Sequence, residues 1–209
     1  MTQYSLFTQR NDTIRLDLPD AEVELRTGVL GHTEAWDLFY LLLAQVPWRH
    51  DHITLWGQQH RIPRLHQWFG EPGLSYTWSR IEMQPQPWPD SLRVLREKLV
   101  HETGVVFNTM LANLYRDGAD SVGWHADDEP ELGDSPVIAS ISLGAPRDFQ
   151  LRHRLRKDIA MRTLLLPHDS LLLMRGSTQQ MWKHQLPRRK RVSTARINLT
   201  FRALRKHPR

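Results

Sequence analysis

Near the C-terminus, Thr194-Ala195-Arg196-Ile197-Asn198-Leu199-Thr200-Phe201-Arg202 sets two arginines around two hydrogen-bonding side chains at every second position. Side chains of a β-strand alternate between faces, so Arg196, Asn198, Thr200 and Arg202 share one face and Ile197, Leu199 and Phe201 the other. The pattern has two readings. It describes a solvated polar face over a buried apolar one, or the lining of a site for a small dicarboxylate. In the second, Arg forks take carboxylates and Asn and Thr supply the contacts between. Asn113 and Tyr115 form a second i, i+2 pair on one strand face. His125 and Asp127 point to the same side of an extended segment and together could hold one ion. Imidazole plus carboxylate suits Fe(II), Mn or Zn. An isolated H-x-D is a weak signal and needs a second imidazole, for which His184 is the candidate, 57 residues beyond Asp127 and 12 before Arg196. Two His and one carboxylate on one side of an ion leave positions open for a co-substrate and O₂, as in non-haem iron oxygenases. His50 and His52 form a competing pair. They follow the Pro47 break without a matched third ligand and are read as surface residues.

These residues need a scaffold, and 209 residues suffice for a sizeable core. A composition of 40% hydrophobic and 24% charged residues excludes wholesale disorder and collagen-like repeats. With no cysteine, disulfides, thiolate metal sites and cysteine nucleophiles are excluded. No stretch approaches ~18 uninterrupted apolar residues, and the first residues lack a charged region followed by an apolar core. The expectation is a soluble, intracellular monomer without a membrane partner. Charge is uneven. From Arg147 onward, 17 basic side chains face 3 acidic ones, a net of +14. Such a field gathers phosphates, although 23 Arg against 5 Lys also fits a compositional bias with a solvated surface.

Apolar spacing predicts a helix from a Thr33 cap to about Val46, closed by Pro47, with Ala35, Phe39 and Leu42 inward. A second helix is expected after an Asp90 cap, with Leu92, Leu95 and Leu99 as its stripe and Gly104 at its end. Residues 48–89, rich in Trp, Pro and Gly, suggest strands joined by irregular loops. Beyond Gly104 come short β-type runs at 105–115, 136–143, 147–153, 163–166, 170–174, 181–186 and 194–202. They suggest a sandwich, barrel or jelly roll with helices packed outside. Residues 1–30, alternating around Pro19, are assigned no structure.

Asn113-x-Tyr115-x-x-Gly118-x-Asp120-x-x-x-x-His125-x-Asp127, the later His184, and Arg196-x-Asn198-x-Thr200-Phe201-Arg202 together resemble the motif set of the AlkB family. Those proteins are Fe(II)- and 2-oxoglutarate-dependent dioxygenases that demethylate nucleic acid bases. Over roughly residues 53–203, Arg61-Ile62-Pro63-Arg64, Leu74-Ser75-Tyr76-Thr77-Trp78, Asp127-Asp128-Glu129, Arg147-Asp148-Phe149 and His184-Gln185-Leu186-Pro187 resemble its duplex-DNA-repair branch. The resemblance implies an α+β fold with a double-stranded β-helix (jelly-roll) core and flanking N-terminal helices. It implies one catalytic domain over 1–209, with an N-terminal extension at about 1–30. The nucleotide-recognition region would span about 48–89 and the core about 105–203. It further implies Fe(II) on His125, Asp127 and His184, and 2-oxoglutarate on Asn113, Tyr115, Arg196, Asn198, Thr200 and Arg202. Arg196 would meet the distal carboxylate, while Asn198 and Arg202 lie near the end that meets iron. Oxidative decarboxylation to succinate and CO₂ would drive hydroxylation of an N-methyl group, and the product would release formaldehyde.

A base inside a duplex must leave the stack before such chemistry can reach it. The resemblance gives Tyr76, Thr77 and Trp78 to base recognition and Asp128 to the base's exocyclic amine. Trp56-Gly57-Gln58 falls to a hairpin tip that fills the vacated stack, and Arg64 to a DNA contact. Trp56 stands where Phe is common and Gln58 where Lys is common, which changes the finger's reach and charge. Arg188-Arg189-Lys190-Arg191 would be a phosphate-contacting loop. Repair of 1-methyladenine and 3-methylcytosine in DNA, duplex or single-stranded, is the leading expectation. The alternatives are the same chemistry on RNA or protein, a binding module without catalysis, and a metal-binding jelly roll of unrelated function.

Trp56 yields a test. Base–aromatic stacking contributes roughly 1–3 kcal/mol. Trp56→Ala should therefore lower turnover of a methylated duplex by roughly one to two orders of magnitude, since ~1.4 kcal/mol is tenfold. The matching single strand should lose much less, and Trp56→Phe should restore most of the loss. Equal losses on both substrates, with a lowered melting temperature, would make Trp56 a packing residue.

Overall fold

Alternation of apolar side chains along 138–144, 170–175 and 196–202 requires a cover on each side of one sheet. The computed structural model describes residues 12–55, 58–74, 76–78 and 81–205, with the backbone alone at 53–55, 76–78 and 81–83. The first half holds β1 (Thr13–Leu16), β2 (Glu22–Thr27), α1 (His32–Gln45), β3 (His52–Leu55), β4 (Gln58–Arg61), β5 (Leu65–Gly70), β6 (Tyr76–Trp78), β7 (Ile81–Met83) and α2 (Asp90–Thr103). The second half holds β8 (Thr109–Tyr115), β9 (Val122–His125), β10 (Ile138–Gly144), β11 (Arg147–His153), β12 (Arg162–Leu166), β13 (Ser170–Arg175), α3 (Thr178–Met181), β14 (Trp182–Leu186) and β15 (Arg196–Arg202).

Seven strands form a large sheet in the order β1-β2-β13-β10-β15-β8-β5, and four form a smaller one, β12-β11-β14-β9. The large sheet is covered on both faces. Its outer face packs Ile141, Leu143, Leu171, Leu173, Ile197, Leu199 and Phe201 against Ala35, Phe39 and Leu42 of α1 and Leu92, Leu95 and Leu99 of α2. Its inner face sets Leu25, Ile138, Leu172 and Met174 against Phe149, Leu151, Leu166 and Trp182 of the small sheet. This is the expected jelly-roll sandwich with helices outside. Among the described residues, no helix is long and apolar enough to cross a membrane.

Several boundaries differ from expectation for identifiable reasons. Helix α1 begins at His32 rather than after a Thr33 cap. The capping position is Gly31, with φ 97° and ψ 144°, and no side chain of the helix caps it. The carboxylate of Asp169, far along the chain, accepts from the amides of Leu30 and Gly31 at 2.9 Å each. Asp90 is the first residue of α2, not its cap; Pro89 holds that place with an extended backbone. Asp90 there lies in the first turn, where its charge faces the positive end of the helix dipole. Gly104 ends α2 in the left-handed region, as expected, and its amide donates to Val100. The run expected at 105–115 pairs only from Thr109.

The large sheet also draws strands from before residue 105. β2 pairs with β13 and carries β1 at the sheet edge, burying Val23 and Leu25, so residues 13–27 are integral to the sandwich. Within 48–89, β5 pairs with β8 and buries Trp68 and Phe69, while β3–β4 and β6–β7 stand apart as two-stranded hairpins.

The Asp169 tie to the segment before α1 is testable. A hydrogen bond to a charged group contributes about 1.5–3 kcal/mol. Asp169→Ala should lower unfolding free energy by at least about 1 kcal/mol, and Thr33→Ala by less than about 0.5 kcal/mol. Urea denaturation of both variants would decide which residue starts α1.

Candidate active site

The polar face of β15 is not solvated. It forms a wall of a cavity of about 410 Å³ between the two sheets. Arg196 is 2% exposed, Asn198 7% and Thr200 8%. Register on β10 sets Ser140 opposite Thr200 and Ser142 opposite Asn198. The Asn198 amide donates to Ser140 Oγ (2.7 Å) and to the Ile141 carbonyl (3.1 Å), and its oxygen accepts from Thr200 Oγ1 (2.9 Å). One Arg196 Nη donates to Ser142 Oγ at 2.9 Å, and the guanidinium carbon lies 5.3 Å from the Tyr115 ring centroid. Arg196 Nε is buried without a partner among the described residues. Burial lowers the Arg196 pKa to about 10, partly opposed by Tyr115 and furthered by Arg147, so it remains a cation at neutral pH. A buried cation in a cavity wall suits a carboxylate.

The metal candidates converge at the same cavity. Antiparallel pairing of β9 with β14 sets His125 opposite His184. With Asp127, just past β9, their ligand atoms all lie within 4.8 Å of one another. His125 Nδ1 lies 2.8 Å from the Gly123 carbonyl, which only accepts, so Nδ1 is the donor there and Nε2 is the atom left for a metal. The His184 ring stacks on Phe149 at 5.1 Å. Asp127 is tied twice: its amide donates to Gln179 Oε1 (2.9 Å), and its Oδ1 accepts from Arg202 Nη2 (2.6 Å). Burial pushes His184 down to about 3, helped by His125 and opposed by Asp127. Burial works to raise Asp127, but Arg202 and the two imidazoles hold it at about 2. A neutral imidazole and a charged carboxylate are the forms a metal takes, and this donor set fits Fe(II).

The residues expected at the substrate side are placed unevenly. Arg64 is not presented on an outer surface. It is 8% exposed, lines the cavity and donates from Nε to Asn113 Oδ1 at 2.8 Å. The turn at Ile62 and Pro63, tied by amide bonds from Ile62 to Asp51 and from Ser121 to Pro63, directs it inward. Asp128 keeps a 43% exposed side chain, held by Arg154 at 2.6 Å. Gln58 opens β4 and is exposed, whereas Trp56 and Gly57 lie outside the described residues. Tyr76, Thr77 and Trp78 form β6, paired with β7. In the basic loop Arg188, Lys190 and Arg191 are exposed, but Arg189 is paired with Asp148 at 2.6 Å. Gly118 pins this loop: a Cβ there would stand 1.7 Å from the Arg189 carbonyl. His52 is exposed and His50, half-buried, lies against the Ile62 carbonyl at 2.9 Å; neither joins a metal cluster among the described residues.

Sequence reasoning missed Ser140, Ser142 and Gln179, and quoted Phe149 in a motif without giving it a role. The alternation in Ile138-Ala139-Ser140-Ile141-Ser142-Leu143 carried a signal for the two serines. Gln179 carried none, because its role comes only from the fold.

Residues 22–202 match the model of the 2OG-Fe(II) oxygenase superfamily. The chain is 39% identical over 197 residues to the human alpha-ketoglutarate-dependent dioxygenase alkB homolog 3, covering 90% of this chain and 68% of that one. It is 40% identical over 187 residues to the DNA oxidative demethylase ALKBH2 of Mus musculus, covering 85% and 78%. The chain belongs to the AlkB family. The solved structure of OsALKBH1 shares the fold at 17% identity and a TM-score of 0.59, over 87% of this chain and 96% of that one. In this AlkB-family protein the His125–Asp127–His184 cluster fits the family's iron, and 2-oxoglutarate is the co-substrate.

The depressed His184 has a measurable consequence. Between its reference pKa of 6.5 and its folded value of about 3, the unfolded chain binds a proton that the folded chain refuses. Stability therefore falls as pH drops through that window. Asp127, depressed from 3.8 to about 2, stabilises the fold above 3.8 and loses this contribution as pH falls towards 2. Urea midpoints of metal-free protein should decline from pH 7 to pH 4, and His184→Ala should flatten the decline. A variant with the wild-type slope would assign the titration to other groups.

Proposed function

We propose that this protein is a DNA repair dioxygenase that removes N-linked methyl groups from 1-methyladenine and 3-methylcytosine and releases formaldehyde. The observation that carries this reading is a single cavity, lined both by the His125–Asp127–His184 cluster and by the Arg196 face of β15. In this reading His125, Asp127 and His184 hold Fe(II). Arg196 takes the distal carboxylate of 2-oxoglutarate, with Asn113, Tyr115, Asn198, Thr200 and Arg202 lining the rest of its site. The bound iron and co-substrate supply the oxidising chemistry. The chain supplies position. Arg202 holds the Asp127 carboxylate in its charged form, and Phe149, stacked on His184, orients that ring.

DNA as substrate is supported by relatives named DNA oxidative demethylase and by the exposed Arg188, Lys190 and Arg191, which suit a polyanion rather than a protein side chain. Trp56, Gly57 and Gln58 are assigned to the vacated stack, Tyr76, Thr77 and Trp78 to the extruded base, and Asp128 to its exocyclic amine. The protein acts as an intracellular monomer on duplex DNA in preference to single strands.

The test is formaldehyde release from 1-methyladenine and 3-methylcytosine in duplex DNA, single-stranded DNA and RNA of one sequence, with Fe(II) and 2-oxoglutarate. Wild type should act on both DNA lesions. A chelator, or alanine at His125, Asp127 or His184, should reduce release below a few per cent while far-UV circular dichroism stays unchanged. Comparable turnover by all three variants would move the iron site elsewhere. Release from RNA alone would overturn the DNA assignment.

A further inference from the structure

Arg64 was expected to touch DNA, yet it is folded into the cavity wall. We propose that Arg64 is a positioning residue for the co-substrate, acting through Asn113. The inference rests on the reading of the Asn113–Arg196 wall as the 2-oxoglutarate site.

The argument turns on which end of an amide faces which neighbour. A carboxamide has an acceptor at one end and two donors at the other, and its neighbours decide how it sits. The atom of Asn113 that Arg64 Nε meets at 2.8 Å must be Oδ1, because a guanidinium only donates. Asn113 Nδ2 then points away from Arg64. Asn113 is 5% exposed and lines the cavity, and no described residue accepts from its Nδ2. A keto-acid dianion presents only acceptors. An Asn113 amide held by Arg64 offers it a donor, whereas the reversed amide would set oxygen against oxygen. Arg64 thus selects the one orientation that suits an anion.

The placement of Arg64 is itself constrained. Strand register puts His66 opposite Asn113 and Leu65 opposite Leu114, so Arg64 arrives at the end of β5 beside β8. Its backbone amide is bonded to the Ile62 carbonyl at 2.8 Å. A second donor, Nη1, lies 3.5 Å from the Ser121 carbonyl, on the segment leading to β9 and the metal ligand His125. Arg64 therefore spans the strand that carries Asn113 and the approach to the metal cluster.

The experiment is calorimetric titration of 2-oxoglutarate, without oxygen, into protein loaded with Mn(II) in place of iron. Wild type, Arg64→Gln, Arg64→Lys, Asn113→Ala and the Arg64→Gln/Asn113→Ala pair are compared. Mn(II) affinity and fluorescence anisotropy with a DNA duplex are measured alongside. Arg64→Gln and Asn113→Ala should each weaken 2-oxoglutarate binding by about tenfold, the loss of one hydrogen bond to a charged group. The double variant should be no weaker than Asn113→Ala, because Arg64 acts through that side chain. Arg64→Lys keeps the charge but not the planar Nε donor, and should resemble Arg64→Gln. Mn(II) affinity should stay within about twofold, which general loosening of the fold would not allow.

Additive losses in the double variant would overturn the inference by making Arg64 an independent contact. Weakened duplex binding with unchanged 2-oxoglutarate affinity would return Arg64 to the DNA side. An Asn113→Ala variant with wild-type affinity would overturn the reading of this wall as the co-substrate site, and the inference with it.

Discussion

A guanidinium withheld from water sets the terms for the rest of this molecule. Burying an ion without compensation costs several kcal/mol, so Arg196 at 2% exposure needs a surround that tolerates its charge. The structure meets part of that need with Ser142 and the Tyr115 ring and leaves Nε without a partner among the described residues. The other face of β15 compensates differently, with Ile197, Leu199 and Phe201 fully buried against α1 and α2. Apolar burial on one side of the strand thus offsets an electrostatic cost on the other. The strand that carries the buried cation is thereby held between two covered faces.

At the far end of that strand the same logic reaches the His125–Asp127–His184 cluster. Arg202 reaches Asp127 and keeps its buried carboxylate charged, while burial keeps His184 neutral. Asp127 is also fixed through its own amide by Gln179, and the neighbouring Asp128 by Arg154. The loop carrying Asp127 and Asp128 is therefore anchored from α3 and from the segment after β11, neither of which borders it in sequence.

How much could be read beforehand follows from which contacts are local. The alternation in 196–202 showed two faces, and both faces formed. Whether the polar one met water was undecidable from those residues, because the answer lies in Ser140 and Ser142 on β10 and in the small sheet that closes the cavity. Local signals located α1 but named the wrong cap: Gly31 holds that position, and Asp169, from the turn before β13, ties the amides that precede the helix. Arg64 shows the limit most plainly. Nothing in Ile62-Pro63-Arg64 says which way the arginine turns, and the amide bonds that aim it inward come from Asp51 and Ser121. The motif spacings were informative because Asn113 and Tyr115 sit on β8, His184 on β14 and Arg196–Arg202 on β15, with His125 ending β9 and Asp127 just past it. Pairing of β9 with β14 and of β8 with β15 then brings them together.

Because β15 is buried on both faces and its faces carry opposite chemistry, the gene segment encoding it has a parity. Deleting one codon within 196–202 would rotate every later side chain to the opposite face, sending leucine into the cavity and arginine against the helices. Losing two codons restores the alternation and shortens the strand. Length variants in this segment should thus survive in even steps and vanish in odd ones, a reading-frame rule imposed by the pleat of a sheet rather than by the genetic code.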